Sequence, residues 1–252
     1  MNLKPVILAI ETSSRVGSVA LGFGDKIVAE KSFSGFMKHS SEVFPAVNSL
    51  LNEFGVKPNG IEHLYISNGP GSFTGLRIAV SIAKMMYLAT SLKIIAVDSL
   101  DVVAFNAIEA IEELNSGANL SDKVIGNDIK RIAPIIDAKR GQFFIAQYNK
   151  VVNGNESSLD KLMDDSIMTA EEFCKKVSEQ GFPICLLGDG LLYYKKEFQG
   201  EGMSFFEDKY WSPRAACVYK IGWKMAQNDK FTDPLKLKPN YLYRPEIHVK
   251  MR

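Results

Sequence analysis

The sequence is poor in cysteine and histidine. Its 252 residues include three cysteines that form no C-x-x-C pair, namely Cys174, Cys185 and Cys217. An odd, scattered set of this kind indicates reduced thiols in a cytosolic protein rather than a disulfide framework. No two of the three histidines are spaced four apart to share one helical face. The sequence therefore predicts no metal site, and a site assembled from His39, Glu42 and Asp137 is the weaker alternative.

The sequence also lacks a long apolar run and an excess of either charge. No segment approaches the roughly 20 apolar residues that span a bilayer. The apolar stretch near the start, interrupted by Glu11, favours a buried strand over a signal peptide. We therefore expect a soluble, cytoplasmic protein with no membrane partner. The 30 Lys and Arg against 29 Asp and Glu argue against a chain that grips RNA alone, because phosphate contacts need clustered cations.

What is present is an alternation of strands and helices that occurs twice. The first half predicts strands at 6–10, 16–23, from 26, at 63–67 and 93–97, with helices at 41–54, 76–90 and after 99. The second half predicts strands at 132–136, 142–148 and 184–187, with helices after a capping box at 169–172 and from 212–213. Two segments, 115–130 and 152–166, are predicted to be long surface loops.

Glu11 and Asp137 occupy matching places in the two halves. Each acid ends a predicted strand before a polar turn, and the two lie 126 positions apart (137 − 11) in a chain of 252. An acid at a hairpin corner is common by chance, but with the matching element order it favours a duplicated unit. The predicted fold class is α/β, a duplicated actin-like two-lobed fold of the ribonuclease-H-like (ASKHA) type. The predicted lobes are residues 1–103 and 104–252, with the last helix or tail returning to the first lobe.

A glycine-rich loop at residues 68–75 precedes an unusually apolar helix. Glycine allows close backbone approach and a helix N-terminus exposes unpaired N–H groups, so the loop can hold an anion or serve as a structural turn. It is not a P-loop, because Lys and Ser or Thr do not follow its last glycine. The helix, LRIAVSIAKMMYLAT, is apolar on most sides. It must therefore be buried, either within its own lobe or against a partner.

Five segments spread over nearly the whole chain form a distinctive set. They are ILAIETSSRVGSVAL, HSSEVFPAV, GPGSFTGLRIAVSIAK, IIDAKRGQFFIAQY and PNYLYR. Together they resemble the TsaB family, formerly YeaZ, of the glycoprotease (M22 peptidase-like) superfamily. The set is far more specific than any one glycine motif. It implies the two-lobed actin-like fold and a non-catalytic scaffold subunit. The complex that the resemblance implies transfers a threonylcarbamoyl group to the adenosine beside the anticodon, in tRNAs reading codons that start with adenine.

The resemblance also implies the partners. They are a TsaD-like catalytic paralogue, a TsaE-like ATPase, tRNA reached through the complex, and a second copy of the chain when it is isolated. No cofactor of its own is expected, and ATP or ADP would be bound in the assembled complex. The two N-terminal helices are expected to carry the partner surface, with contacts from Val43, Val47, Leu50, Leu76, Ala79, Val80, Ala83, Met86 and Tyr87.

Catalysis is the competing interpretation. Residues Thr12, Ser13, Ser14 and Asp137 are candidate nucleotide ligands, because the Glu11 turn matches the place of the Asp-led phosphate loop in actin-like ATPases. Glutamate displaces that carboxylate by about one methylene, which weakens a metal-water role, and capped polar turns are the favoured alternative. A free-standing ATPase or M22-type metallopeptidase thus stays open, although neither H-E-x-x-H nor G-x-S-x-G is present. The basic tail, residues 234–252, either contacts tRNA or packs on a lobe.

Overall fold

The computed structural model describes residues 4–33, 39–116, 129–153 and 156–242, which form two five-stranded mixed sheets. The strands of the first sheet are β1 (Val6–Glu11), β2 (Gly17–Phe23), β3 (Lys26–Phe33), β4 (His63–Ser67) and β5 (Lys93–Val97). Those of the second sheet are β6 (Arg131–Lys139), β7 (Gln142–Asn153), β8 (Glu156–Met168), β9 (Ile184–Leu187) and β10 (Met203–Phe205).

Six α-helices lie in the described residues. They are α1 (His39–Glu53), α2 (Phe73–Thr90), α3 (Ser99–Ser116), α4 (Ala170–Gln180), α5 (Leu191–Tyr194) and α6 (Ala215–Gln227). Short 3-10 turns occur at Pro58–Gly60, Lys195–Glu197 and Asp208–Tyr210. Local sequence explains several ends. The predicted capping box forms at Thr169 and Glu172, and Gly181 closes α4 with a left-handed φ of 65°. No helix among these is long and apolar enough to cross a bilayer.

The two sheets have the same topology, so the predicted duplicated α/β fold is confirmed. The first sheet has the order β3-β2-β1-β4-β5, and the second, read from its other edge, has the order β8-β7-β6-β9-β10. In both, the first three strands are antiparallel neighbours, and the fourth pairs in parallel with the first. Glu11 at the end of β1 and Asp137 near the end of β6 are therefore equivalent positions.

Helices cover both sheets and meet between them. α1 and α2 pack on one face of the first sheet, around Leu8, Ile10 and Leu64. α6 packs on the opposite face, around Ile7 and Tyr65. α3 contributes to the core of the second sheet and also contacts α6. The layer formed by α3 and α6 therefore joins the lobes.

The described residues bear on the two predicted loops and on the predicted lobe boundary. The loop predicted at 152–166 is wrong, because β7 continues to Asn153 and β8 occupies most of the rest. β8 pairs on one side only, along β7, and its side chains are mostly half-exposed. A polar edge strand of this kind lacks the apolar alternation that marks strands. Of the other predicted loop, residues 117–128 lie outside the described residues. The boundary predicted between 103 and 104 stays a prediction, and α3 runs through it.

Candidate functional site

The turn after β1 carries a fully buried acid. Glu11 has no exposed surface, and its Oε1 accepts hydrogen bonds from the backbone N–H and the hydroxyl of Ser13, the latter at 2.6 Å. Because β1 and β4 pair in parallel, Ser67 at the end of β4 lies beside Glu11. The Ser67 hydroxyl acts on Glu11 as a hydrogen-bond donor that lowers its pKa, although in the described residues neither Glu11 Oε2 nor Ser67 Oγ has a partner within strict hydrogen-bond geometry. The end of the first sheet thus holds a buried carboxylate between the side chains of Ser13 and Ser67.

A second acid faces this turn from the other lobe. Asp189 lies between β9 and α5, and its Oδ2 accepts a 2.5 Å hydrogen bond from the Ser14 hydroxyl. Its Oδ1 is buried without a partner in the described part of the chain. Asp137 is near enough for its charge to raise the pKa of Asp189. Its own oxygens accept from the backbone N–H of Lys139 at 2.7 Å and from the Lys139 ammonium at 2.6 Å.

Burial dominates the ionisation of both inner acids. Desolvation raises the pKa of Glu11 above its ordinary value, against the hydrogen bonds from Ser13 and Ser67 that favour the carboxylate. Desolvation also raises the pKa of Asp189, and the bond from Ser14 opposes it. The charge of Asp189 also raises the pKa of Glu11, and the charge of Asp137 raises the pKa of Asp189. The cleft between the lobes is therefore rich in carboxylate oxygen.

The hydroxyls predicted as nucleotide ligands are bonded within the protein. Thr12 donates to the Gly75 carbonyl at 2.8 Å, Ser13 donates to Glu11, and Ser14 donates to Asp189. All three residues are buried. A phosphate placed here would meet carboxylates instead of donors. Nucleotide binding by Thr12, Ser13, Ser14 and Asp137 stays an untested prediction, and this geometry does not favour it.

The glycine loop packs tightly against the same turn. A Cβ on Gly75 would lie 1.8 Å from the Thr12 carbonyl oxygen, and a Cβ on Gly71 would lie 2.5 Å from that of Ser13. The Ser72 N–H donates to the Ser13 carbonyl at 2.7 Å, and the Ser72 hydroxyl caps α2 by accepting from Gly75 N–H. Of the two interpretations of the loop, these contacts favour the structural turn that joins α2 to β1.

The predicted partner contacts lie mostly inside the first lobe. Six of the nine are buried in its core, namely Val43, Leu50, Leu76, Ala79, Val80 and Ala83, and the other three, Val47, Met86 and Tyr87, are partly buried against it. The six buried side chains are not on the surface, because the first sheet and the neighbouring helix cover them. Their assignment as contact residues stays a prediction, and their burial does not favour it. Whether the helix pair binds a partner is not tested by their burial.

A different set of side chains forms the outer surface of these helices. Exposed apolar residues are Phe44 on α1 and Phe73, Met85 and Leu88 on α2, with exposed fractions from 49% to 77%. Both helices pack on the same face of the first sheet and contact each other. We call Phe44, Met85 and Leu88 the outer helix face.

The described part of the tail packs on the first lobe. Leu237 is buried in the core beneath α1 and α2, and Asn240 N–H donates to the Asn68 carbonyl at 2.8 Å. Tyr241 stacks on Phe73 at 5.0 Å and accepts a 3.0 Å hydrogen bond from Arg77. Of the two interpretations of the basic tail, these contacts favour packing for residues up to 242. The remaining basic residues lie outside the described residues.

Clusters of potential metal ligands are absent from the described ranges. These ranges contain no group of three or more His, Cys, Asp or Glu side chains placed to hold a metal ion. The weaker alternative of His39, Glu42 and Asp137 depends on the His39 side chain, which lies outside the described residues. Sequence reasoning missed Asp189 and Ser67. The available signal was the Gly-Asp-Gly run directly after a predicted buried strand.

Comparisons with known proteins agree with this geometry. The family model described as TsaD, tRNA N6-adenosine threonylcarbamoyltransferase, matches residues 29–209. The tRNA threonylcarbamoyladenosine biosynthesis protein TsaB of Bacillus subtilis (strain 168) is 31% identical over 192 residues, which are 75% of this chain and 73% of that protein. The protein of the same name from Buchnera aphidicola subsp. Schizaphis graminum is 24% identical over 230 residues, 90% of this chain and 97% of that protein.

A solved structure shows the same fold. YeaZ from Pseudomonas aeruginosa superposes with a TM-score of 0.73 at 20% identity, over 94% of this chain and 100% of that one. Two sheets of identical topology with a polar cleft between them define a two-lobed protein of the actin-like class. Because the family model spans more than half of the chain and the Bacillus relative is aligned over most of both proteins, the chain belongs to the TsaB family.

Proposed function

We propose that this chain is a non-catalytic scaffold subunit in the biosynthesis of threonylcarbamoyladenosine in tRNA. In this proposal it binds a TsaD-like catalytic paralogue, and a TsaE-like ATPase joins the complex. The assembly transfers the threonylcarbamoyl group to the adenosine beside the anticodon, in tRNAs that read codons starting with adenine. tRNA is reached through the complex. The names of the relatives support the pathway, and the outer helix face supports the mode of action.

The outer helix face is the single observation that carries the proposal. Leu88 is 77% exposed and Met85 is 56% exposed, one turn apart on α2, and Phe44 is 49% exposed on the neighbouring helix. Single exposed apolar residues are ordinary, but large ones grouped on adjacent helices mark protein contact surfaces. Aromatic residues and methionine are also the types that interface cores favour. When the catalytic partner is absent, the same face is expected to pair with a second copy.

The hydrogen bonding of the side chains in the cleft supports a non-catalytic role. The hydroxyls of the Thr12–Ser14 turn are all bonded within the protein, so no side chain there is poised as a nucleophile or phosphate ligand. In this proposal the chain has no catalytic cofactor of its own, and ATP or ADP belongs to the assembled complex.

The test is reconstitution of tRNA modification with and without this chain, using Leu88→Arg as the informative variant. Leu88 is exposed, so arginine is tolerated in the fold, but a buried charge at the contact should weaken binding to the catalytic subunit at least about tenfold. Modification at limiting concentrations should fall with it. Sedimentation of the isolated variant should show loss of the homodimer.

The matched control is Leu162→Arg. Leu162 is 47% exposed and lies on β8, in the other lobe. It should bind the catalytic subunit as the parent chain does. Equal binding by both variants would contradict the outer helix face as the contact surface. Full modification in the absence of the chain would contradict the scaffold role itself.

A further inference from the structure

The exposed side of α2 forms one continuous stripe that ends in the outer helix face. Arg77, Ser81, Met85 and Leu88 are all exposed, and they follow one another at intervals of four, four and three residues. This spacing places them along one side of an α-helix. At a rise of about 1.5 Å per residue, Met85 and Leu88 lie roughly 12 Å and 17 Å from Arg77 along the helix axis. The stripe therefore leads from Arg77, near the start of the helix, to the apolar residues near its end.

The last described residues of the tail lie at the start of this stripe. Asn240 bonds to the glycine loop before the helix. The next residue, Tyr241, stacks on Phe73 and accepts a hydrogen bond from Arg77, in the first turns of the helix. Leu242 packs instead against the core of the second lobe. Successive tail side chains thus point to different sides, as they do in an extended chain, and Tyr241 is the one that faces α2.

The sequence that follows alternates strictly between apolar and polar residues. In residues 243–252, YRPEIHVKMR, every odd-numbered position is apolar or aromatic, and every even-numbered position is charged or a histidine. Such alternation is typical of an extended segment that buries one side. An extended continuation of the tail would present the odd-numbered side chains on the side that Tyr241 turns towards α2. They are Tyr243, Pro245, Ile247, Val249 and Met251.

The segment is long enough to reach the apolar end of the stripe. An extended chain advances about 3.3 Å per residue. Pro245 and Ile247 come four and six residues after Tyr241, which contacts Arg77. They would therefore lie about 13 Å and 20 Å beyond that contact. These distances match the positions of the two apolar residues of the stripe, so the apolar side of the segment comes opposite the apolar part of the helix.

We propose that residues 243–252 bind along this stripe of the same chain and cover Met85 and Leu88 in the monomer. The apolar side chains of the segment shield the outer helix face from water, while its charged side chains point to solvent. Tyr241 holds the segment beside the stripe, so its effective concentration there is of millimolar order. This is well above the concentration of a second copy in a micromolar solution, and the segment of the same chain is therefore the favoured occupant.

The contact would regulate partner binding. A catalytic partner or a second copy that uses the outer helix face must first displace the segment, so its apparent affinity falls with the fraction of chains that are uncovered. If about nine-tenths of the chains are covered, release of the segment tightens binding about tenfold. This regulatory consequence rests on the proposed scaffold function, whereas the contact itself does not.

The experiment uses nuclear magnetic resonance of the isolated full chain with isotope-labelled methionine methyl groups, dilute enough to be monomeric by sedimentation. The Met85 methyl resonance is assigned from its loss in Met85→Leu. Ile247→Asp places a charge on the apolar side of the segment and should shift this resonance towards that of a methionine in water. His248→Asp places the same charge on the polar side and should leave the resonance unchanged. A synthetic peptide of residues 243–252, added at millimolar concentration to Ile247→Asp, should shift the resonance back.

Partner binding gives the second readout. Ile247→Asp should bind the catalytic subunit about tenfold more tightly than His248→Asp does. A Met85 resonance that is the same in the parent chain and in both variants would overturn the contact. A shift that varies with protein concentration would overturn it too, since a second copy would then be the occupant. A contact without tighter partner binding would overturn the regulation alone, and Leu88→Arg separately decides the scaffold function.

Discussion

At the scale of single residues, Asp98 connects the start of a helix to the opposite lobe. Its Oδ1 accepts from the backbone N–H of Leu100 at 2.8 Å and of Asp101 at 3.3 Å, so it caps α3. Its carboxyl group also hydrogen-bonds to Asp165 on β8, which requires a proton between the two acids. Lys161 bonds to Asp165 at 2.8 Å and to Asp101 at 2.9 Å.

The pKa of Asp98 gives the stability a definite dependence on pH. Burial, and then the bond to Asp165, raise the pKa well above 3.8 in the folded chain. The folded state therefore binds the proton more tightly than the unfolded state does. This contribution to stability is fully present below about pH 3.8 and is lost as the pH rises through the folded pKa.

The variant Asp98→Asn should flatten this dependence. Asparagine keeps an oxygen to cap α3, and its amide donates to Asp165 without needing a proton. At pH 8 the variant should be more stable than the parent chain by about 1 kcal/mol, and the difference should shrink at low pH. Urea unfolding between pH 4 and pH 8 measures it. Asp160→Asn, in an exposed position, should leave the profile unchanged, whereas the same profile for Asp98→Asn and the parent would refute the shared proton.

At the scale of elements, the start of α2 is fixed by backbone contact with the end of β1. A Cβ at Gly75 would lie 1.8 Å from the Thr12 carbonyl oxygen, which is backbone and cannot rotate away. Gly75→Ala should therefore destabilise the chain by about 3 kcal/mol or more, since the helix must move off the strand. Gly60→Ala is the control, because nothing lies within 4 Å of a Cβ there. Denaturant midpoints of the two variants test this, and similar midpoints would contradict it.

Helices, strands and turns were predicted correctly where short-range sequence patterns determine the structure. Hairpin turns, the Thr169 capping box and the repeated strand order all follow from short-range patterns, and they are present. β8 was missed because its sequence, ESSLDKLMDDSIM, is polar and acquires strand geometry only by pairing with β7. The apolar character of α2 was read correctly as burial. It could not show which residues face the core, and Ala79 and Ala83 are buried while Leu88 is exposed.

Prediction of the site was limited by contacts between the lobes. The equivalence of Glu11 and Asp137 was visible in the sequence, because each ends the first strand of its repeat. The contact of Ser14 with Asp189 joins positions 175 apart. No local pattern encodes such a distance, so the second acid of the cleft became evident only once the two sheets were placed together.

At the scale of the whole molecule, the lobes are joined by crossing helices. α3 follows the last strand of the first sheet and packs on the second, while α6 follows the second sheet and packs on the first. Glu109 on α3 pairs with Arg214 and, at 2.8 Å, with Lys220 on α6. Each lobe thus packs against a helix that follows the sheet of the other lobe. The two lobes should therefore unfold together in one transition.

Asn106 is the polar centre of this crossing and provides its test. It is 1% exposed, donates to the carbonyls of Tyr210 at 3.0 Å and Ser212 at 2.7 Å, and accepts from the Cys217 thiol at 3.0 Å. Asn106→Ala would leave two partly buried carbonyls unpaired and should cost about 2–4 kcal/mol. Asn228→Ala removes one exposed local bond to the Lys224 carbonyl and should cost less than about 0.5 kcal/mol. Calorimetric unfolding should show one transition for both, shifted down only for Asn106→Ala. A split transition in the parent chain, or equal shifts in the variants, would mean that the lobes are not joined through Asn106.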